Sequence, residues 1–205
     1  MFRKRYNYNL DGIYAGHHAV SYKGIPAIKC PFDFTLYQMI LWEVKPDLVI
    51  EIGTNKGGTT LYIADLLMLF NAGEIHTIDV AENKEDPSLL RHPKIKIFKE
   101  GFAQYDITKV KGFKNILIIE DGSHKYEDSL NALNKFAPIV SKGSYYIVED
   151  GIISALGKAK EYNGGPEKAI KEFLQQNDNF IVDKKWCNFF GMNATFNTNG
   201  YLKKL

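Results

Sequence analysis

The run Asp47-Leu-Val-Ile-Glu-Ile-Gly53 restricts this chain more than any other feature: it is an apolar strand ended abruptly by glycine, with a helix signal over residues 59–70 behind it. A strand apolar on both faces needs cover on both, which a parallel sheet with helices above and below supplies. The helix can place Leu61, Ala64, Leu67 and Met68 on one side, and Asn71-Ala72-Gly73 stops it. The pattern then recurs. Residues 74–79 and 94–98 predict a second and a third strand, separated by a polar, proline-marked stretch, 81–93, in which no helix is expected. Residues 115–120 predict the fourth strand, followed by a helix over 126–137 that Pro138 ends. A fifth strand over 144–149 precedes a helix over 167–176, with Pro166 in its first turn and Ala169, Ile170 and Phe173 facing inward. Residues 180–182 and 186–196 predict two last strands, with a close at Gly200-Tyr201. The expected fold is α/β, a doubly wound, mostly parallel sheet with a β-rich C-terminal piece. A leading helix over 34–44 takes Asp33 as its N-cap. Residues 1–32 read as an N-terminal extension for oligomer or substrate contacts, and 33–205 as the main domain.

Composition narrows the class. A chain of 205 residues, 45% hydrophobic and 24% charged, has room for one domain. Its 26 Lys plus Arg against 24 Asp plus Glu leave a net charge of +2, without the basic field of a nucleic-acid binder. The longest apolar stretch, 61–70, is about half the ~20 residues of a membrane span, and Asp65 interrupts it, so no integral membrane segment is expected. The basic N-terminus has no apolar run behind it, hence no secretory signal is read. Cys30 and Cys187 form neither a CxxC pair nor a disulfide framework. A reducing cytoplasmic location is the expectation.

Glu51-Ile-Gly53-Thr-Asn-Lys-Gly57-Gly58-Thr59 falls where the first strand turns into the first helix, the edge at which open α/β sheets bind ligands. Gly53 permits a tight turn, Gly57 and Gly58 permit close backbone approach, and Thr59 can cap the helix. The spacing is not the G-x-G-x-x-G of a dinucleotide site, and Glu51 would repel a pyrophosphate. That carboxylate suits a cationic ligand such as the sulfonium and amino group of S-adenosylmethionine. Asp79, ending the second strand, can accept hydrogen bonds from two ribose hydroxyls. Thr54 and Asn55 in the turn, Gly101 and Phe102 after the third strand, and Asp121 complete the expected cofactor-binding set.

Asp121 follows the fourth strand and Glu149-Asp150 close the fifth. In a sheet wound 3-2-1-4-5 these ends are neighbours, ~4.8 Å apart, so three carboxylates meet on the rim that carries the glycine turn. A hard divalent cation relieves their repulsion, and a set of carboxylates favours Mg²⁺, Mn²⁺ or Ca²⁺ over Zn²⁺. Glu149 and Asp150 both reach one ion only if the strand breaks there, as Gly151 would allow. In Asp121-Gly-Ser-His124 the histidine stands beside that corner as a candidate base for a substrate hydroxyl, with water as the alternative. His17 and His18, with Tyr14 and Tyr22, are candidates for a substrate mouth.

These residues resemble the cephalosporin hydroxylase family, a branch of the class I methyltransferases. The resemblance rests on Lys29-Cys-Pro-Phe-Asp33 with Tyr37, the Glu51-to-Gly58 loop, Asp79, Asp121-Gly-Ser-His124, Tyr146-Ile-Val-Glu149-Asp150, Gly165-Pro166 and Gly200-Tyr201-Leu202. It implies a Rossmann-like sheet of order 3-2-1-4-5 with antiparallel C-terminal strands, and S-adenosylmethionine-dependent O-methylation with Mg²⁺ on Asp121, Glu149 and Asp150. The implied acceptor is a hydroxyl of a sugar, polysaccharide, glycolipid or small metabolite, and the implied assembly a homo-oligomer. The catechol O-methyltransferase group is similar in its acids after the fourth and fifth strands, but its catalytic lysine falls where His124 stands here. An iron hydroxylase is disfavoured because none of the five histidines forms His-x-Asp or His-x-Glu. A base amino-methylase would carry Asn/Asp-Pro-Pro-aromatic after the fourth strand, where this chain has Glu120-Asp121-Gly122-Ser123. The alternatives that stay open are a non-catalytic adenosyl-binding scaffold and, behind it, a dinucleotide oxidoreductase.

Overall fold

The computed structural model describes residues 9–80 and 85–205. An N-terminal arm comprises helix α1 (Leu10–His17) and a hairpin of β1 (Ser21–Tyr22) and β2 (Ile25–Pro26). The main body follows as α2 (Pro31–Val44), β3 (Leu48–Ile52), α3 (Gly58–Leu69), β4 (Glu74–Ile78), β5 (Ile95–Phe98), α4 (Gly101–Gln104) and β6 (Ile116–Glu120). It ends with α5 (Tyr126–Phe136), β7 (Tyr145–Val148), α6 (Gly165–Gln175), β8 (Phe180–Val182), α7 (Lys184–Cys187) and β9 (Tyr201–Lys204). Of the stretch 81–93, residues 81–84 lie outside the described ones, and the rest holds a short 3-10 turn, Leu89–Arg91.

The sheet runs β5-β4-β3-β6-β7-β9-β8. Its first five strands are parallel, which is the expected 3-2-1-4-5, and β9 then lies antiparallel to both β7 and β8. All five residues of β3 are buried, as a central strand covered on both faces must be. On one face, Phe136 and Ala132 of α5 with Ile170 and Phe173 of α6 pack on Ile50, Ile118 and Tyr146. On the other, Leu36 and Ile40 of α2 and Ile63 and Leu67 of α3 pack on Val49, Leu117 and Ile147. Met68, expected with the buried face of α3, is 45% exposed. The register sets Ile52 opposite both Ile78 and Glu120, and Glu120 opposite Val148, so four strands end at one level. Among the described residues no helix is long and apolar enough to cross a membrane.

Two local expectations are corrected. Asp33 does not cap α2, because Pro31, with no N–H to satisfy and φ preset, already opens the helix behind Cys30. Its carboxylate is buried and accepts hydrogen bonds from the Tyr201 hydroxyl at 2.8 Å, the Phe196 backbone N–H at 3.0 Å and the Thr195 hydroxyl. Residues 186–196 form no strand. Asp183 accepts from the Lys185 N–H and starts α7, and Trp186 buries its ring while donating to the Tyr145 hydroxyl at 3.0 Å. Gly200 closes a turn, its N–H donating to the Asn197 carbonyl at 2.8 Å, and Tyr201 then opens the last strand; a Cβ on Gly200 would lie 1.9 Å from the Val148 carbonyl oxygen.

Replacing Asp33 by Ala strands three buried donors, so Asp33→Ala should lower stability by about 3 kcal/mol and Asp33→Asn, which keeps one acceptor oxygen, by less. The midpoint of urea unfolding checks both.

Candidate active site

The turn after β3 is built by backbone proximity. Gly53 donates to the Ile78 carbonyl at 2.8 Å, and its φ of +101° and a Cβ position 2.0 Å from the Asp121 carbonyl oxygen leave no room for a side chain. Asp79 fastens the turn from β4: its Oδ2 accepts from Thr54 N and Asn55 N, both at 2.9 Å, and its Oδ1 from Val80 N at 2.7 Å. Gly57 and Gly58 also permit close contacts within the protein. A Cβ on Gly57, which itself caps α3 at φ +87°, would strike Leu89, and one on Gly58 would lie 2.5 Å from the Pro26 carbonyl oxygen of the arm. Thr59 donates to the Ala27 carbonyl at 3.3 Å instead of capping the helix.

The turn and the arm enclose a cleft of about 700 Å³, of the size that small ligands occupy. Of the expected residues, Gly53, Thr54, Asn55, Gly58, Thr59, Asp79, Gly101, Phe102, Asp121, His124 and Asp150 line it. Glu51, Gly57 and Glu149 do not. Glu51 lies beneath the turn, where its Oε2 accepts from the Thr60 hydroxyl at 2.5 Å and the Thr77 hydroxyl at 2.6 Å. Thr77 in turn meets the Thr54 hydroxyl at 2.6 Å. Burial pushes the Glu51 carboxyl up to about 7, against the pull of both threonines. It braces the loop from beneath.

The acidic corner divides in two. Asp150 takes a left-handed conformation, φ +55°, that turns its carboxylate into the cleft. His124, also left-handed at φ +58°, puts Nε2 3.2 Å from Asp150 Oδ2 and 3.9 Å from Asp121 Oδ1. Asp121, His124 and Asp150 each offer a ligand atom within 4.8 Å of the others. Glu149, expected with them, is buried on the other side. One of its oxygens accepts from the Tyr37 hydroxyl at 2.6 Å and the other from the Lys29 ammonium, which also donates to Asp121 Oδ2 at 2.7 Å. Burial opposes the charge on Lys29, but Asp121 and Glu149 outweigh it and hold the ammonium protonated. Burial likewise opposes the charge on Asp121, yet Lys29 and His124 keep its carboxyl below the usual range. Burial raises Asp150. One ammonium thus pairs with two of the three carboxylates, and the side of the cluster away from it carries an imidazole and two carboxylates open to the cleft. That donor set fits a divalent cation, and the imidazole admits Mn²⁺ beside Mg²⁺.

Lys29, Tyr37 and Asn197, which donates to the Tyr37 hydroxyl at 3.0 Å, carry roles that spacing did not assign. The available signal was Lys29 itself, a single charge between Ile28 and Cys30-Pro31-Phe32 that burial obliges to find an acid. Glu120, also lining the cleft, is pushed by burial up to about 7. Of the four aromatic and histidine candidates in the arm, His17 alone lines the cleft. Tyr22 packs edge-on to Tyr62 instead, with ring centroids 5.2 Å apart.

A parallel sheet of this order, with a glycine turn after its first strand and an acid after its second, is the fold of the class I methyltransferases. Solved structures agree on the fold: CmcI with Mg and SAM is similar at TM-score 0.70 and 18% identity, covering 100% of this chain and 88% of that one. CmcI with SAH is similar at TM-score 0.73 and 18% identity, over 100% of this chain and 96% of that one.

The family model described as Rhamnosyl O-methyltransferase/CmcI matches residues 15–205, and the chain belongs to that family. It is an O-methyltransferase by membership. Among curated relatives, the rhamnosyl O-methyltransferase of Mycobacterium leprae (strain TN) is 27% identical over 195 residues, 90% of this chain and 83% of that protein. The rhamnosyl O-methyltransferase of Mycobacterium tuberculosis (strain ATCC 25618 / H37Rv) is 29% identical over 190 residues, 89% of this chain and 77% of that protein.

Glu51 yields a pH test with a defined sign. Its folded value of about 7 lies above the ordinary 4.5, so the folded chain binds the extra proton between them. Its contribution to stability is full below pH 4.5 and is lost as pH rises through 7, at no more than about 1.4 kcal/mol per pH unit. Glu51→Gln should flatten that part of the curve, read by urea unfolding at a series of pH values.

Proposed function

We propose that this chain transfers the methyl group of S-adenosylmethionine to a hydroxyl of a sugar, with a divalent cation at the corner formed by Asp121, His124 and Asp150. The observation that carries the reading is that one continuous cleft joins the Asp79-fastened turn to that corner. Asp79 and the turn it fastens meet the ribose, and the apolar surfaces of Ile78, Val80 and Phe102 flank the same end of the cleft. Asp121 stands between the two ends: its backbone carbonyl abuts Gly53, while its side chain belongs to the acidic corner. When bound, the cation supplies charge that fixes an acceptor oxygen and lowers the pKa of its hydroxyl. The protein supplies alignment. Lys29 and Tyr37 hold Glu149 away from the cleft, so the Asp121 carboxylate is pinned on one oxygen and presents the other.

The rhamnosyl acceptor in the names of the mycobacterial relatives favours a deoxysugar hydroxyl over a catechol. The cleft is walled at this end by the arm through His17, Ala27 and Ile28, so residues ahead of α2 act in acceptor contact.

Titration calorimetry with S-adenosylmethionine and S-adenosylhomocysteine, with and without Mg²⁺ or Mn²⁺, together with transfer of labelled methyl to an alkyl rhamnoside, tests the reading. Absence of binding for both adenosyl compounds would overturn it. Asp150→Asn should weaken Mn²⁺ binding by at least about tenfold and remove the cation's stimulation of transfer, as chelation does in the unaltered protein. The same variant should leave S-adenosylhomocysteine affinity within a few fold.

A further inference from the structure

His124 is poorly placed to receive a proton from the acceptor. Its Nε2 is 3.2 Å from Asp150 Oδ2 and 3.9 Å from Asp121 Oδ1, so that nitrogen either donates to a carboxylate or joins the two acids in holding a cation. In neither state does Nε2, the nitrogen at the acidic corner, have a lone pair free for a hydroxyl. A different histidine meets the requirement.

His17 ends α1 and lines the cleft, with 8% of its surface exposed. Its Nδ1 lies in hydrogen-bond contact with the Tyr14 carbonyl oxygen. A carbonyl only accepts, so Nδ1 carries the hydrogen, and in a neutral ring the lone pair is on Nε2. No hydrogen bond engages Nε2 among the described residues. The ring is clamped: Phe196 meets it edge-on at 5.1 Å between centroids, Tyr14 lies at 4.8 Å and His18 at 3.9 Å. Tyr14 is anchored in its turn by Lys158, whose ammonium donates to its hydroxyl at 2.8 Å.

We propose that His17 Nε2 is the group that accepts the hydrogen bond of the acceptor hydroxyl and takes its proton, making the N-terminal arm a catalytic element. The inference rests on the methyl-transfer reading above. In the step, a lone pair of the acceptor oxygen forms the bond to the methyl carbon and the carbon–sulfur bond breaks. The electron pair of that bond stays on sulfur as the neutral thioether, and the hydroxyl proton passes to Nε2 and then to solvent. Burial, the larger influence, and the neighbouring His18 and Lys29 favour the neutral ring, against the Tyr14 carbonyl and Asp150, so Nε2 keeps its lone pair at neutral pH. The charged and titratable groups around it are therefore Tyr14 on its own helix, His18 just beyond it, Lys29 at the end of the arm, Asp121 beyond β6 and Asp150 beyond β7.

The test is His17→Asn. The asparagine amide reproduces the Nδ1–H donor to Tyr14 and deletes Nε2, so a merely structural histidine would be replaced without loss of turnover. With an alkyl rhamnoside as acceptor, kcat should fall at least about 100-fold, while calorimetric affinities for S-adenosylhomocysteine and for Mn²⁺ stay within a few fold of the unaltered protein. Unchanged kcat overturns the proposal. Nitrogen-15 spectra of the histidine-labelled protein test it without any acceptor: His17 should be in the Nδ1–H tautomer at neutral pH, and an Nε2–H tautomer refutes it. Failure of the unaltered protein to bind S-adenosylhomocysteine would instead remove the methyl-transfer reading, so the two failures are distinguishable.

Discussion

A buried ammonium organises the functional rim. Lys29 is 2% exposed, and a charge taken so far from water is tolerable only with partners in direct contact. It finds two, on different strands: Asp121 beyond β6 and Glu149 beyond β7. The pairing ties the arm to the sheet and keeps two carboxylates together that would otherwise repel. It also decides which carboxylates are left to face the cleft. Removing either acid alone would leave the ammonium under-compensated, so the three groups are one unit in stability and in geometry.

Around that unit lies a second layer of polar contacts. Glu149 passes to the Tyr37 hydroxyl, Tyr37 to Asn197, and Asn197 to the Tyr201 hydroxyl at 3.3 Å, which donates to Asp33. Each member is buried, and together the bonds tie Asp33 and Tyr37 of α2 to Glu149 after β7, to Asn197 and to Tyr201 of β9. Such chains gain strength in a low-dielectric interior when their members are satisfied. The helix packs on the sheet through its apolar residues, and its acid and its tyrosine set the rotation at which the rim is presented.

The central sheet was legible because its strands are short apolar runs closed by Gly53, Asp79 or Asp121, and because the helices between them carry buried faces that repeat at 3.6 residues. The chain after α6 was not, because Trp186 is buried as a single side chain with no periodic neighbours and because β9 pairs by backbone register, which composition does not encode. Asp33 was misread for a similar reason. An acid near a helix start looks the same whether it caps that helix or receives donors from a segment more than 160 residues away in sequence. In the site, Gly53, Asp79, Asp121 and Asp150, singled out by their order along the chain, line one cleft. Which acid faces the cleft depends on the left-handed backbone at Asp150 and His124 and on the lysine that claims Glu149, and neither is visible in spacing.

The bonds from Asp33 and Tyr37 to residues 195–201 join the two extremities of the described chain. During synthesis the N-terminal portions of a chain emerge first, and contacts of such long sequence separation form late. The nucleotide end of the cleft is drawn from residues 48–102, whereas the corner that meets the acceptor has to wait for the final strand. A nascent chain halted before Tyr201 would therefore already carry a donor seat and have no means of using it, so that methyl transfer becomes possible only when translation of that strand is complete.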